Sequence, residues 1–544
     1  SGATLAYSGA AFAIAANTLN LLGTGTLNNS ANAITFSTGT LDIDGSLTIS
    51  GDITISGSAT FDIAASKTLT YSGDEIDVGA NTLSIDGTGT ITNSNNINLN
   101  ATASLIELVG ATISKINQSA DAASSKGITV ATTASTITTF TSGGQSRIDL
   151  GANLTITDDF NLTGETMILS GTSTLDGGAI TLNNVNSLIQ VTAACTIDNN
   201  LTFSANSATG KGLDITNSCT ISGDLSTSAN VIIEIDASQT LTYSGAAFAI
   251  AANTLNLLGT GTLNNSANAI TFSTGTLDVD NNIEIDGDIT ISGNATIDIA
   301  TGKTLDYDGA SLAIGANTLT FTGGTGGSDE GIFENANALT VSTGQITVTN
   351  NVNVTGDITM SGNATISIAN GKTLNYDGAS LAIGANTLAL TGGTGASDEG
   401  ILDNANALTI STGTLDVDNN IEIDGNITIS DDATFDIASG KTLDYDGDQI
   451  DIGDNALSII GGGTIDNANN ITLSHANSLL NIKTNASATI AKVSTSANVT
   501  GTSKGVDIDV NATITTLTVS HTCPVLIKTG VTLSGAVSIK AGKV

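Results

Sequence analysis

Residues 372–440 read KTLNYDGA, SLAIGAN, TLALTGGTGASDEG, ILDNAN, ALTISTG, TLDVDNN, IEIDGN, ITISDD and ATFDIASG. Most of these nine phrases place apolar residues at alternate positions and close on Gly, Asn or Asp. Alternation of period two marks a half-buried strand, and the closing residues permit turns with positive φ. Ile421, Ile423, Ile427 and Ile429 alternate with Glu422, Asp424, Thr428 and Ser430, a pattern that no helical stripe fits. Nine phrases of about seven residues predict three coils of three faces, about 21 residues per coil. The expected fold class is all-β: a single long parallel β-solenoid, a three-faced β-helix whose phrase lengths favour right-handed winding. A row of separate β-sandwiches would also give many short strands, but seldom in phrases this short and even.

Repetition extends this reading along the chain. Tyr7 to Asp42 recurs unchanged as Tyr243 to Asp278, and all six tyrosines (Tyr7, Tyr71, Tyr243, Tyr307, Tyr376, Tyr445) sit at one equivalent place. Their spacing defines a unit of roughly 64 positions in a shorter form and roughly 69 in a longer one. A divergent stretch near 100–240 interrupts the series. The longer unit replaces the turn at Leu258-Gly259-Thr260-Gly261 by the glycine-rich segments 323–331 and 392–400. Five residues added at one turn are tolerable only if that turn is on the surface. Asn32, Asn95, Asn268, Asn337, Asn406 and Asn469 share one turn position, where asparagine can adopt the left-handed conformation or bond nearby backbone.

Composition fits a narrow β-branched core. The 544 residues include 61 Gly, one Pro, no Trp and 3% aromatics. Fifty-one acids against 14 basic residues give a net charge of −37, which argues against nucleic acid as a partner. No apolar run reaches the roughly 20 residues of a membrane span. The chain opens Ser1-Gly2-Ala3, so it reads as a mature product or a piece of something longer.

Acidic phrases offer candidate metal ligands. Asp416, Asp418, Glu422 and Asp424, and their counterparts Asp278, Asp280, Glu284 and Asp286, should face solvent while Leu, Val and Ile point inward. Oxygen ligands so spaced can hold Ca2+, whereas a plain solvated acidic face needs no ion. Otherwise no cofactor is expected. With His475 and His521 as the only histidines, and no nucleophile elbow, Walker loop or CxxC, the chain is not expected to be an enzyme. A polysaccharide-active site would interrupt the repeat with unique residues. Rows of outward threonine such as Thr318, Thr320 and Thr322 suggest ice binding, but equivalent positions vary among Thr, Asn, Asp and Ala. Cys195 and Cys219 lie one coil apart in the sequence and can stack closely enough to bond; Cys523 is left over for a crosslink to another chain.

Charge divides the chain into acidic coils over 1–474 and basic coils over 475–544, the latter with six lysines, two aspartates and a net of +4. With no capping helix evident, the solenoid ends are expected to stack head to tail, with Lys528, Lys540, Lys543 and Cys523 as assembly residues. The phrases GDITISGSATFDIAASKTLTYSG (51–73) and GKTLDYDGASLAIGANTLTFTG (302–323) resemble the repeats of bacterial filamentous-haemagglutinin-like and autotransporter-passenger β-helix adhesins. That resemblance implies secretion, a right-handed parallel β-helix, and work in adhesion, biofilm matrix or surface filaments. The expected function is a structural subunit or segment of an extracellular filament. The alternative is the stalk of a bacterial cell-surface adhesin. Expected partners are its own copies and cell-surface or matrix polysaccharide.

Overall fold

A computed structural model describes residues 2–10, 12–30, 32–246, 248–310, 312–324, 330–379, 381–393, 399–483 and 488–540. Among these residues the chain forms 69 short strands and no helix. They fall into two units, residues 1–269 and 270–544, and each is a parallel β-solenoid. About 24 turns of roughly 22 residues make up the fold.

Within residues 270–544, the quoted stretch folds as nine strands in three coils, beginning with Thr373–Tyr376, Leu381–Gly384 and Thr387–Thr391. Thr414–Val417 shows the logic of one strand. Leu415 and Val417 are buried, while Thr414 and Asp416 are only partly covered. Each Leu or Ile taken inside contributes roughly 1.5–3 kcal/mol of transfer free energy. Stacking one such strand on the next keeps the backbone ladder satisfied along the column.

The five-residue insertion does what a surface loop should. Leu305 pairs with Phe333 and Leu374 with Leu402, a longer step along the chain than the one from Leu5 to Leu27 in the shorter unit. The flanking strands stay in parallel register. The inserted residues 325–329 and 394–398 themselves lie outside the described residues. The basic coils continue the same architecture, since Ala512–Val519 pairs in parallel with Ala488–Thr495 and with Leu533–Ile539.

Two side chains tie one coil of each tyrosine-bearing unit to the coil before it. The rings of Tyr71, Tyr243, Tyr307, Tyr376 and Tyr445 are fully buried. Their hydroxyls accept the backbone N–H of Ile53, Leu225, Ile289, Ile358 and Ile427, each 18 residues earlier, at 3.0–3.2 Å. The glycine two residues after each tyrosine leaves room for this. A Cβ at Gly309 would stand 2.4 Å from the Gly287 carbonyl and 2.5 Å from the Tyr307 hydroxyl.

Of the two properties expected of the shared asparagines, they use the bond to backbone and not left-handed geometry. None of them has positive φ; among the described residues the non-glycine positions that do are Ser66, Ser125, Ser238 and Ser503. Instead the amides of Asn95, Asn337, Asn406 and Asn469 donate to the carbonyls of Gly73, Gly309, Gly378 and Gly447 one coil back, at 2.7–2.9 Å. Buried partners two residues earlier complete the bridge. Asn335 donates to Asn337 O (2.9 Å) and accepts from Gly356 N (2.9 Å). Left-handed geometry goes to the serine or glycine before the Lys/Gln-Thr-Leu phrase, as at Ser66 (φ 63°), Ser238 (62°) and Gly440 (74°).

Candidate functional site

The eight carboxylates expected to gather divide between two faces. Asp278 and Asp416 lie on the strands Thr276–Val279 and Thr414–Val417, with Asp280 and Asp418 beside them. Glu284 and Glu422 lie on the following strands, Ile283–Ile285 and Ile421–Ile423. Parallel stacking brings further acids over each. Asp278 pairs with Asp298 and Asp416 with Asp436, while Glu422 pairs with Asp444, which pairs with Asp466.

Two equivalent triads result. One oxygen from each of Glu284, Asp286 and Asp308 lies within 4.8 Å of the others, and Glu422, Asp424 and Asp446 repeat the arrangement. Oxygens around a Ca2+ ion, each roughly 2.4 Å from it, have this separation or less. Asp308 and Asp446 were missed in the sequence because they belong to the next coil. The step from Glu284 to Asp306 in the repeat was the signal that could have found them.

The electrostatics of these faces are those of crowded like charges. Burial, then Asp424, Asp444 and Glu399 nearby, push the Glu422 carboxyl up to about 7. Burial together with Asp446, Asp466, Glu399 and Asp424 raises Asp444 to about 6. Asp306 and Asp278 reach about 6 for the same two reasons, with Asp308 and Asp280 the leading neighbours. Burial likewise lifts Asp286, Asp416 and Asp424. Counter-charges are scarce in a chain with so few basic residues. Lys528 reaches Asp509 (3.9 Å), and the His475 ring lies 2.8 Å from an Asp454 carboxylate oxygen.

Of the expected assembly residues, Lys528 is exposed and reaches Asp509, and Lys540 donates its backbone N–H to Val519 O at 3.0 Å. Lys543 lies outside the described residues. Cys523 corrects the sequence reading. Its thiol is fully buried, and burial raises it to about 11, so it is not presented to another chain. It fills the core as a small apolar residue, as free cysteine commonly does. Cys195 and Cys219 do stack one coil apart, through the pairing of Thr196 with Thr220, and both are buried free thiols.

No protein-family model, curated protein or solved structure matches this chain. Its class is that of the parallel β-solenoid repeat proteins, defined by the coil geometry itself. No helix among the described residues is long and apolar enough to cross a membrane.

Proposed function

We propose that this chain is a structural, non-catalytic subunit or segment of an extracellular filament, joined to its own copies by coil-on-coil stacking. The observation that carries this reading is that coils of repeated sequence stack on one another in parallel register. Thr240–Tyr243 lies on Cys219–Ile221 on one side and on Thr262–Asn264 on the other, so the edge of one coil is complementary to the edge of another. The basic coils offer a matching surface, with Leu526, Ile527, Val537 and Ile539 exposed. Their charge of +4 complements the acidic coils.

Concentrated protein should grow fibres of constant width in negative stain, more slowly as salt is raised. Leu5→Asp alters an exposed residue and should keep the circular dichroism spectrum while abolishing fibres. Dispersed particles at every concentration would sink the polymer and favour the adhesin stalk.

A further inference from the structure

The divergent stretch 100–240 breaks the repeat, and inside it lies a polar cleft of about 290 Å3. Its lining includes Lys126, Thr129, Arg147, Asp149, Ile168 and Ser170. Arg147 is the only arginine in the chain. It projects from the strand Ser146–Leu150 between two unlike neighbours in the ladder, Ile168 on one side and Gly127 on the other. Gly127 has φ 98°, and a Cβ there would stand 2.5 Å from the Arg147 carbonyl, so glycine is what lets these two strands pair so closely.

Arg147 is anchored but not satisfied. Its Nε donates to the Ala122 carbonyl at 3.1 Å, which fixes the plane of the fork. A guanidinium carries five N–H donors, and the four at Nη find no protein acceptor among the described residues. Nor is any described carboxylate within ion-pair distance, although Asp149 lines the same cleft. A half-covered, unpaired cation in a chain with 51 acids is an unusual arrangement, because the surrounding negative charge could readily have supplied a partner. Lys126 stands at the same cleft, held at the end of a tight turn by its N–H to Ala123 O (3.1 Å) and by Ser125 at φ 59°.

We infer that this cleft binds an acidic saccharide, one sugar ring bearing a carboxylate. Arg147 offers the planar fork that pairs with two carboxylate oxygens, and Lys126 adds a second positive charge. Asp149 is an acceptor for the ring hydroxyls, while the hydroxyls of Thr129 and Ser170 can donate or accept. Ile168, almost wholly buried, forms part of the cleft floor. The site does not depend on the filament reading, since it is built within one unit and Arg147 has no counterpart elsewhere in the chain.

The test is titration calorimetry of the full chain with a galacturonate trisaccharide, the neutral galactose trisaccharide and sodium sulfate. The acidic trisaccharide should bind, with the neutral one at least tenfold weaker and sulfate weaker than the acidic sugar. Arg147→Gln should cost tenfold or more. Because Arg147 is also bonded to the fold, Lys126→Gln is the companion variant; it should weaken binding severalfold with an unchanged thermal melt. Failure of the acidic trisaccharide to bind overturns the proposal, as does unaltered affinity in both variants. Sulfate binding as tightly as the trisaccharide would reduce the cleft to a general anion site and overturn the saccharide assignment.

Discussion

Tyr71, Tyr243, Tyr307, Tyr376 and Tyr445 each fill the core with a ring and satisfy a buried backbone donor with a hydroxyl. Tyr307 shows both, accepting from Ile289 N at 3.1 Å and donating to Ala310 O at 2.9 Å. Tyr307→Phe keeps the ring but leaves a buried N–H without its partner, so urea melts should show a loss of about 1–3 kcal/mol. Tyr7→Phe should cost less, because among the described residues the Tyr7 hydroxyl bonds Ala10 O alone, on a partly exposed coil. Equal costs would mean the hydroxyl bridge to the preceding coil is not what the tyrosine contributes. The position of these residues was legible as spacing, but their partners were not. The donor is a main-chain N–H 18 residues back, and nothing in side-chain identity records it. The asparagines escaped for the same reason: their amides reach glycine carbonyls in the preceding coil.

At the scale of the strand, stacking creates the electrostatic problem. A period-two pattern fixes which side chains face out, and parallel in-register pairing then sets like on like, as with Glu422, Asp444 and Asp466. The alternation was therefore enough to read strand, face and coil, while the triads needed the register as well. The pH dependence has a definite sign. These carboxyls hold their protons at about 6 to 7 when folded, against about 4 in an unfolded chain. Folding thus favours the protonated form, and the stability it brings is complete below about pH 4 and lost as pH rises through 6 to 7. The melting temperature should fall between pH 5 and pH 8 from this cause. Glu422→Gln should raise it at pH 8 and flatten the slope, and added Ca2+ should raise it more than Na+ of equal ionic strength. A melting temperature that climbs from pH 5 to pH 8 in the parent protein would contradict the account.

At the scale of the whole molecule, the chain behaves as a sum of coils and interfaces between neighbours, which makes its length adjustable in units. The unit 372–440 can be excised so that Gly371 joins Lys441, replacing the junction Gly371-Lys372 by a junction of the same two residue types. The strand Thr442–Tyr445 would then land on Val352–Val354. That strand already carries Thr373–Tyr376 in the register Val352 to Leu374 and Val354 to Tyr376. Thr442–Tyr445 uses the same register on its present support, Ile421 to Leu443 and Ile423 to Tyr445. Tyr445 would accept from Ile358 N as Tyr376 does now. The shortened protein should therefore keep its per-residue circular dichroism and a cooperative melt. Excision of 372–405 removes a fractional number of coils, sets an asparagine-closed turn against the wrong face, and should give an aggregating product. If both deletions fold, register between coils is not what specifies this structure; if neither does, the units are not independent modules.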